Sequence, residues 1–172
     1  MTSQMLSRVE DEKVLVLERV FDAPRELVYR MFSEAEHLRH WWGPRGWEVT
    51  HCVVDFRPGG AWHYCFKCMD RNQGDFYGME SWGKGLYHDI ESPERIVYDD
   101  YFSDAEGNLN TEMPATACTL LFEEEEDGKT RLINRAEYAT ADNLKMVMDM
   151  GMLQGITETW DRLEERLAEL RK

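Results

Sequence analysis

The 172-residue sequence is short of positive charge. Twenty Lys and Arg stand against 34 Asp and Glu, a formal charge of −14, so the summed field repels a phosphate backbone or an anionic bilayer and argues against nucleic acid as a partner. No apolar run reaches the roughly 18 residues that mark a membrane-spanning helix. Met1 to Lys13 contains no basic segment leading into an apolar one. Export and membrane insertion are therefore not expected, and the cytoplasm is the expected location. Cys52, Cys65, Cys68 and Cys118 are then expected as reduced thiols, buried as small apolar groups.

Signatures of catalysis and of metal binding are also missing. Nothing resembles G-x-S-x-G, and no Ser, Cys or Thr sits in a pattern that supplies it with a base, so no catalytic residue is assigned. His63, Cys65 and Cys68 imitate a ligand cluster, but on a regular strand the two Cys face opposite ways, and no second Cys/His pair stands at zinc spacing. Asp104, Glu106 and Asn108 alternate like a calcium loop, yet the required Gly is misplaced and no bidentate Glu closes the loop. Neither metal nor cofactor is expected.

Aromatic residues are abundant instead. Six Trp, seven Tyr and seven Phe exceed what a minimal core needs, and large rings line cavities because each supplies much contact area with few rotors.

The hydrophobic pattern predicts a single α+β domain over residues 1–172, with its ordered core at about 14–170. A strand is expected over Val14 to Phe21, ended by Asp22-Ala23-Pro24, which also starts a short helix with Leu27, Val28, Met31 and Phe32 as its buried stripe. Ser33-Glu34-Ala35-Glu36 reads as a capping box opening a second short helix to about His40. Trp47 to Phe56 and Ala61 to Lys67 form a hairpin, placing Trp62, Tyr64 and Phe66 on one face and His63, Cys65 and Lys67 on the other. Further strands are expected from about Trp82 to Ile90 and from Arg95 to Phe102. The last two, Thr116 to Glu123 and Lys129 to Tyr138, join across Asp127-Gly128, the strongest hairpin signal present. After Thr140, Leu144, Met148, Met152, Ile156, Trp160, Leu163, Leu167 and Leu170 recur every four or three residues and predict one long helix. Six or seven antiparallel strands, two short helices and a long C-terminal helix follow.

Met146, Met148, Met150 and Met152 crowd the first half of that helix, where flexible thioethers adapt to irregular ligands. Gly151 and Gly155 lie there too. Each costs up to about 1 kcal/mol relative to Ala in a helix, which points to close approach by a strand or a ligand.

Trp41-Trp42-Gly43-Pro44, Arg57-Pro58-Gly59-Gly60, Pro93-Glu94-Arg95-Ile96-Val97, the segment from Phe102 through Gly107-Asn108, and Gly151-Met152-Leu153-Gln154-Gly155 occur in an order that resembles a known family. It is similar to the activator-of-heat-shock-protein-90-ATPase homologues of the START-like, or SRPBCC, superfamily, from about Val14 to Leu170. The resemblance implies a helix-grip fold, in which the sheet wraps the last helix around a cavity for apolar or amphipathic ligands. Superfamily members bind lipids, hormones or polyketides, and some are cyclases or hydrolases.

The expected function is noncatalytic binding of a small apolar or aromatic molecule, with Trp41, Trp62, Tyr64, Phe66, Met148, Met152 and Gly155 shaping the pocket. Asn134, on the Leu132 and Ala136 face of its strand, is expected as the polar anchor. The first alternative is a cyclase- or hydrolase-type enzyme using His51 or His63, which could meet across the hairpin. The second is a protein-interaction module for a chaperone, and a homodimer is compatible with each reading.

Overall fold

The computed structural model describes residues 4–171. Eight strands make one antiparallel sheet: β1 Leu6–Glu10, β2 Val14–Phe21, β3 Trp47–Val54, β4 Ala61–Cys68, β5 Glu80–Glu91, β6 Arg95–Phe102, β7 Thr116–Glu124 and β8 Thr130–Glu137. Their spatial order is β1-β2-β8-β7-β6-β5-β4-β3. Each strand from β3 to β8 pairs with its sequence neighbour, and the one long-range closure sets β2 beside β8, with Leu17 opposite Asn134. β1 is a strand beyond the six or seven expected. Its residues are largely exposed, so it lacks the one-sided apolar alternation that marks a half-buried strand.

The two short helices are α1 Arg25–Ser33 and α2 Ala35–Trp41. Val28, Tyr29, Met31 and Phe32 form the buried face of α1. The capping box does not form. Ser33 ends α1, Glu34 caps α2 without a side-chain bond, and the Glu34 carboxylate instead accepts from Arg30 Nε at 3.0 Å. At the β7–β8 hairpin Asp127 and Gly128 both take positive φ, 62° and 72°, as the sequence signal requires.

The C-terminal helix is two helices. α3 spans Ala141–Asp149 and α4 spans Met152–Leu170, with Gly151 between them at φ +86°. The apolar spacing runs through this break unaltered, which is why periodicity reads one helix; only a residue without Cβ takes that left-handed conformation at little cost. α4 buries Thr159, Trp160, Leu163 and Leu167 against the inner face of the sheet. Arg19, on the face of β2 shared by Leu15, Leu17 and Phe21, is almost wholly buried and donates to Asp161 and Glu164 of α4, each at 2.7 Å. Trp160 meets Phe21 edge-on at 5.9 Å. The C-terminal half of α4 is thus clamped to the sheet, and its N-terminal half stands over β4 to β7.

Candidate functional site

The inner face of β5 decides what fits beneath the helices. Period-two alternation puts Ser81, Gly83 and Gly85 on that face, paired with Phe66, Tyr64 and Trp62 of β4 on one side. On the other side Gly83 and Gly85 pair with Phe102 and Asp100 of β6. A strand glycine inside a sheet marks close approach by other groups, and here the approaching group is the Tyr64 ring. A Cβ at Gly83 would sit 2.2 Å from Tyr64 Cζ and Oη. The ring therefore lies across β5, and its hydroxyl donates to Asp100, 3.0 and 3.1 Å from the two carboxylate oxygens.

Above this surface lies a cavity of about 340 Å³, within the range of small-molecule pockets. Tyr64 and Phe66 of β4, Ser81 and Gly83 of β5, Asp100 and Phe102 of β6 and Thr116 of β7 form its floor. Val147 of α3, Met150 and Gly151 of the break, and Met152, Gly155, Ile156 and Thr159 of α4 form its roof. Trp42, Gly43 and Pro44 close one side. Gly155 contributes empty space: a Cβ there would meet nothing within 4 Å. The close packing against a strand that a helix glycine can signal is therefore not present at this position.

The loop wall is held by Arg162 of α4. Its Nη1 donates to the carbonyls of Gly43 at 2.8 Å and Trp47 at 3.0 Å, and lies 3.3 Å from those of Trp42 and Pro44. Nη2 reaches the His40 carbonyl at 3.3 Å. A planar guanidinium can satisfy several carbonyls at once, so one side chain fixes the Trp42-Gly43-Pro44 segment against the helix.

Electrostatically the cavity is lopsided. Among the described residues lining it there is no Lys, Arg, His or Glu, and Asp100 is the single carboxyl. Asp100 is half-buried and lines the cavity. Burial pushes its pKa up to about 6, partly offset by the Tyr64 hydrogen bond. The hydroxyl groups around it stay protonated: burial raises Tyr64 and Tyr98 well above the usual range, pushes Tyr138 up to about 12, and raises Tyr87 as well. The Cys118 thiol is raised in the same way.

Of the residues expected to shape a pocket, Tyr64, Phe66, Met152 and Gly155 lie on the cavity wall. Trp41, Trp62, Asn134 and Met148 do not. Trp41 is fully buried in the core, where it donates from Nε1 to the Met31 carbonyl at 3.1 Å and packs edge-on against Phe32. Trp62 sits one layer behind, 4.7 Å from the Trp42 ring, and Met148 packs on the core beside the cavity. Asn134 is buried between Leu17 and Leu120 in register, and its Oδ1 has no hydrogen-bond partner among the described residues.

His51 and His63 do meet across the β3–β4 hairpin, with Nε2 of one 3.1 Å from Nδ1 of the other. They lie on the outer face, away from the cavity, where His63 stacks on Trp82 and its Nε2 approaches the Asp104 carbonyl at 2.8 Å. Neither lines the cavity, so the enzyme alternative loses the residues it was built on. The sequence reading missed Asp100. Its signal was parity, since Ile96, Tyr98, Asp100 and Phe102 share one face of β6 and a lone acid among three apolar residues faces the core.

Among the described residues no group of three or more His, Cys, Asp or Glu is placed to hold a metal ion. All four Cys are buried free thiols. No helix among the described residues is long and apolar enough to cross a membrane.

A curved antiparallel sheet wrapped on a C-terminal helix, with a cavity between them, is the helix-grip architecture of START-like proteins. The chain belongs to the family described as Activator of Hsp90 ATPase homolog 1-like protein, whose model matches residues 22–168. Among solved structures, protein Ms6760 of Mycobacterium smegmatis is similar at 25% identity and TM-score 0.82, covering 95% of this chain and 97% of that one. A protein of Arthrobacter aurescens is similar at 24% identity and TM-score 0.84, covering 95% and 91%. An AHSA1 protein of Silicibacter pomeroyi, at 22% identity and TM-score 0.69, covers 90% and 97%. The last two support the fold alone. No curated protein matches the chain.

Proposed function

We propose that the chain binds a small, largely apolar or aromatic molecule in the cavity between the sheet and the C-terminal helices. The observation that carries this reading is the cavity itself: about 340 Å³, walled by Trp42, Tyr64, Phe66, Phe102, Met152 and Ile156, with Asp100 as its single carboxyl and the hydroxyls of Ser81, Thr116 and Thr159 among its few other polar groups. Pockets for small molecules combine many apolar contacts with few polar groups in this way. The family description names activation of a chaperone ATPase. A small ligand is preferred because residues of the sheet, the Trp42–Pro44 loop and both C-terminal helices converge on one concave space of small-molecule size.

Native mass spectrometry of the purified chain, compared with the same sample after denaturation, tests the proposal. A mass excess lost on denaturation, and reproduced by adding back the released compound, supports it. A bare chain that also takes up no apolar aromatic compound or fatty acid in titration contradicts it.

A second reading is favoured by Asp100. A carboxyl enclosed in a cavity with a pKa raised to about 6 is suited to taking and returning a proton near neutral pH. The chain would then convert its ligand, and the recovered compound would differ from the one supplied.

A further inference from the structure

The polar end of the cavity says more about the ligand than its size does. Among the described residues Tyr64 is the one side chain that donates to Asp100. That single hydroxyl is shared between the two oxygens, which leaves acceptor capacity unused. The titratable groups facing it are Tyr64 from β4, Tyr87 from β5, Tyr98 from β6, Cys118 from β7 and Tyr138 after β8, all neutral in the physiological range. β5 presents Gly83 and Gly85, and α3 and α4 present no charged residue to the cavity.

Three kinds of ligand end can be weighed against this arrangement. A carboxylate or phosphate would meet the Asp100 charge with no Lys, Arg or His among the cavity-lining residues to offset the repulsion. A wholly apolar end would strip the remaining solvent from the carboxyl and return no hydrogen bond. A protonated amine supplies the missing charge-assisted donors. The aromatic rings of Trp42, Tyr64 and Phe66 line the same cavity, and aromatic walls suit the apolar body of such an amine. The formal charge of −14 further raises the local concentration of cations around the molecule.

We infer that the ligand is a small organic amine with a compact apolar or aromatic body, its ammonium group seated on Asp100 and its body beneath Gly155. This rests on the cavity reading proposed above and narrows it to one chemical class. Tyr64 acts as a positioning residue, holding the Asp100 carboxylate at the end of the cavity.

The test is isothermal titration of the whole chain with three probes that share one body: 4-phenylbutylamine, 4-phenylbutanol and 4-phenylbutyrate. At pH 8 the amine should bind about tenfold or more tighter than either of the others, the worth of one charge-assisted hydrogen bond. Asp100→Asn should abolish that preference, bringing the amine to the alcohol's affinity. In the wild type, lowering the pH from 8 to 5 should weaken the amine and not the alcohol, because Asp100 loses its charge while the amine keeps its own. This pH series decides the matter even if the variant folds poorly. Equal binding of amine and alcohol, or tightest binding of the carboxylate, overturns the inference and leaves the cavity reading standing. If no probe binds, the inference falls, and the cavity reading is decided by the mass spectrometry described above.

Discussion

The Tyr64 hydroxyl lies 3.0 and 3.1 Å from the two carboxylate oxygens of Asp100, reaching from β4 to β6 across a strand that carries no side chain beneath the ring. Gly83 is what permits the crossing. Gly83→Ala should therefore push the ring aside, lower stability by about 1 to 3 kcal/mol through overpacking, and break the pair. Gly155→Ala is the contrasting case. Its Cβ enters open space, so the helix propensity gain of up to about 1 kcal/mol should appear unopposed. Chemical denaturation of both variants checks the pair of signs, and a stable Gly83→Ala would show that the ring is not confined.

The pH dependence of stability carries a signature of Asp100. Burial raises its pKa from 3.8 to about 6, so the folded chain holds this proton more tightly than the unfolded one. Its stabilising contribution is complete below pH 3.8 and is lost as the pH rises through about 6. Asp100→Asn does not titrate, so its stability relative to wild type should climb by up to about 3 kcal/mol between pH 4 and pH 7. The carboxylates of Glu10 and Asp104 are held below the usual range by the Arg135 side chain and the Asn108 backbone and act in the opposite sense. They are common to both proteins and cancel in the difference. A constant difference across this range would contradict the enclosed carboxyl.

Arg162 should behave as the fastener of the cavity wall. Arg162→Met leaves the carbonyls of Gly43 and Trp47 without their donor, at about 1 to 3 kcal/mol for buried acceptors. Arg162→Lys should resemble Met more than Arg, since an ammonium cannot reproduce the planar fork. Hydrogen exchange of amides in segment 42–47 should rise in both variants, with smaller changes in β7 and β8. Unchanged exchange in that segment would show that the loop is held by other contacts.

Alanine at His51 or His63 should leave ligand affinity unaltered, because the two rings sit on the outer face of the sheet. Titration of the double variant with the compound recovered from the wild type checks this. A loss of binding without a loss of stability would return these residues to the site.

The strands and the α+β class were legible because β2 is a short β-branched and apolar run and the later strands, as in β8, alternate with period two between Gly, Pro and acidic turns. β1 was not, since neither of its faces is buried. The division between α3 and α4 was hidden because Gly151 turns the chain by its own φ while the apolar spacing continues on either side. Strand parity and helix position place Tyr64 and Gly155 on the inner side, and both lie on the cavity wall. Trp41 and Trp62 were misplaced because a sequence gives an inward-facing ring without saying whether core or cavity lies in front of it. Asp100 went unseen for a related reason: acids are read as solvent-facing, and only the pairing of β6 with the glycine face of β5 shows that this one is covered.

The most direct measurement is the effect of Gly155→Leu on binding and on folding together, by Trp fluorescence titration with apolar aromatics, amines and fatty acids alongside thermal melts. The leucine side chain would project into open space under α4, filling the cavity while improving a helical position. The expected result is a fold at least as stable as wild type with ligand affinity strongly reduced. A variant that is stable and binds every compound as the wild type does would place the binding site elsewhere and contradict the assignment of this cavity.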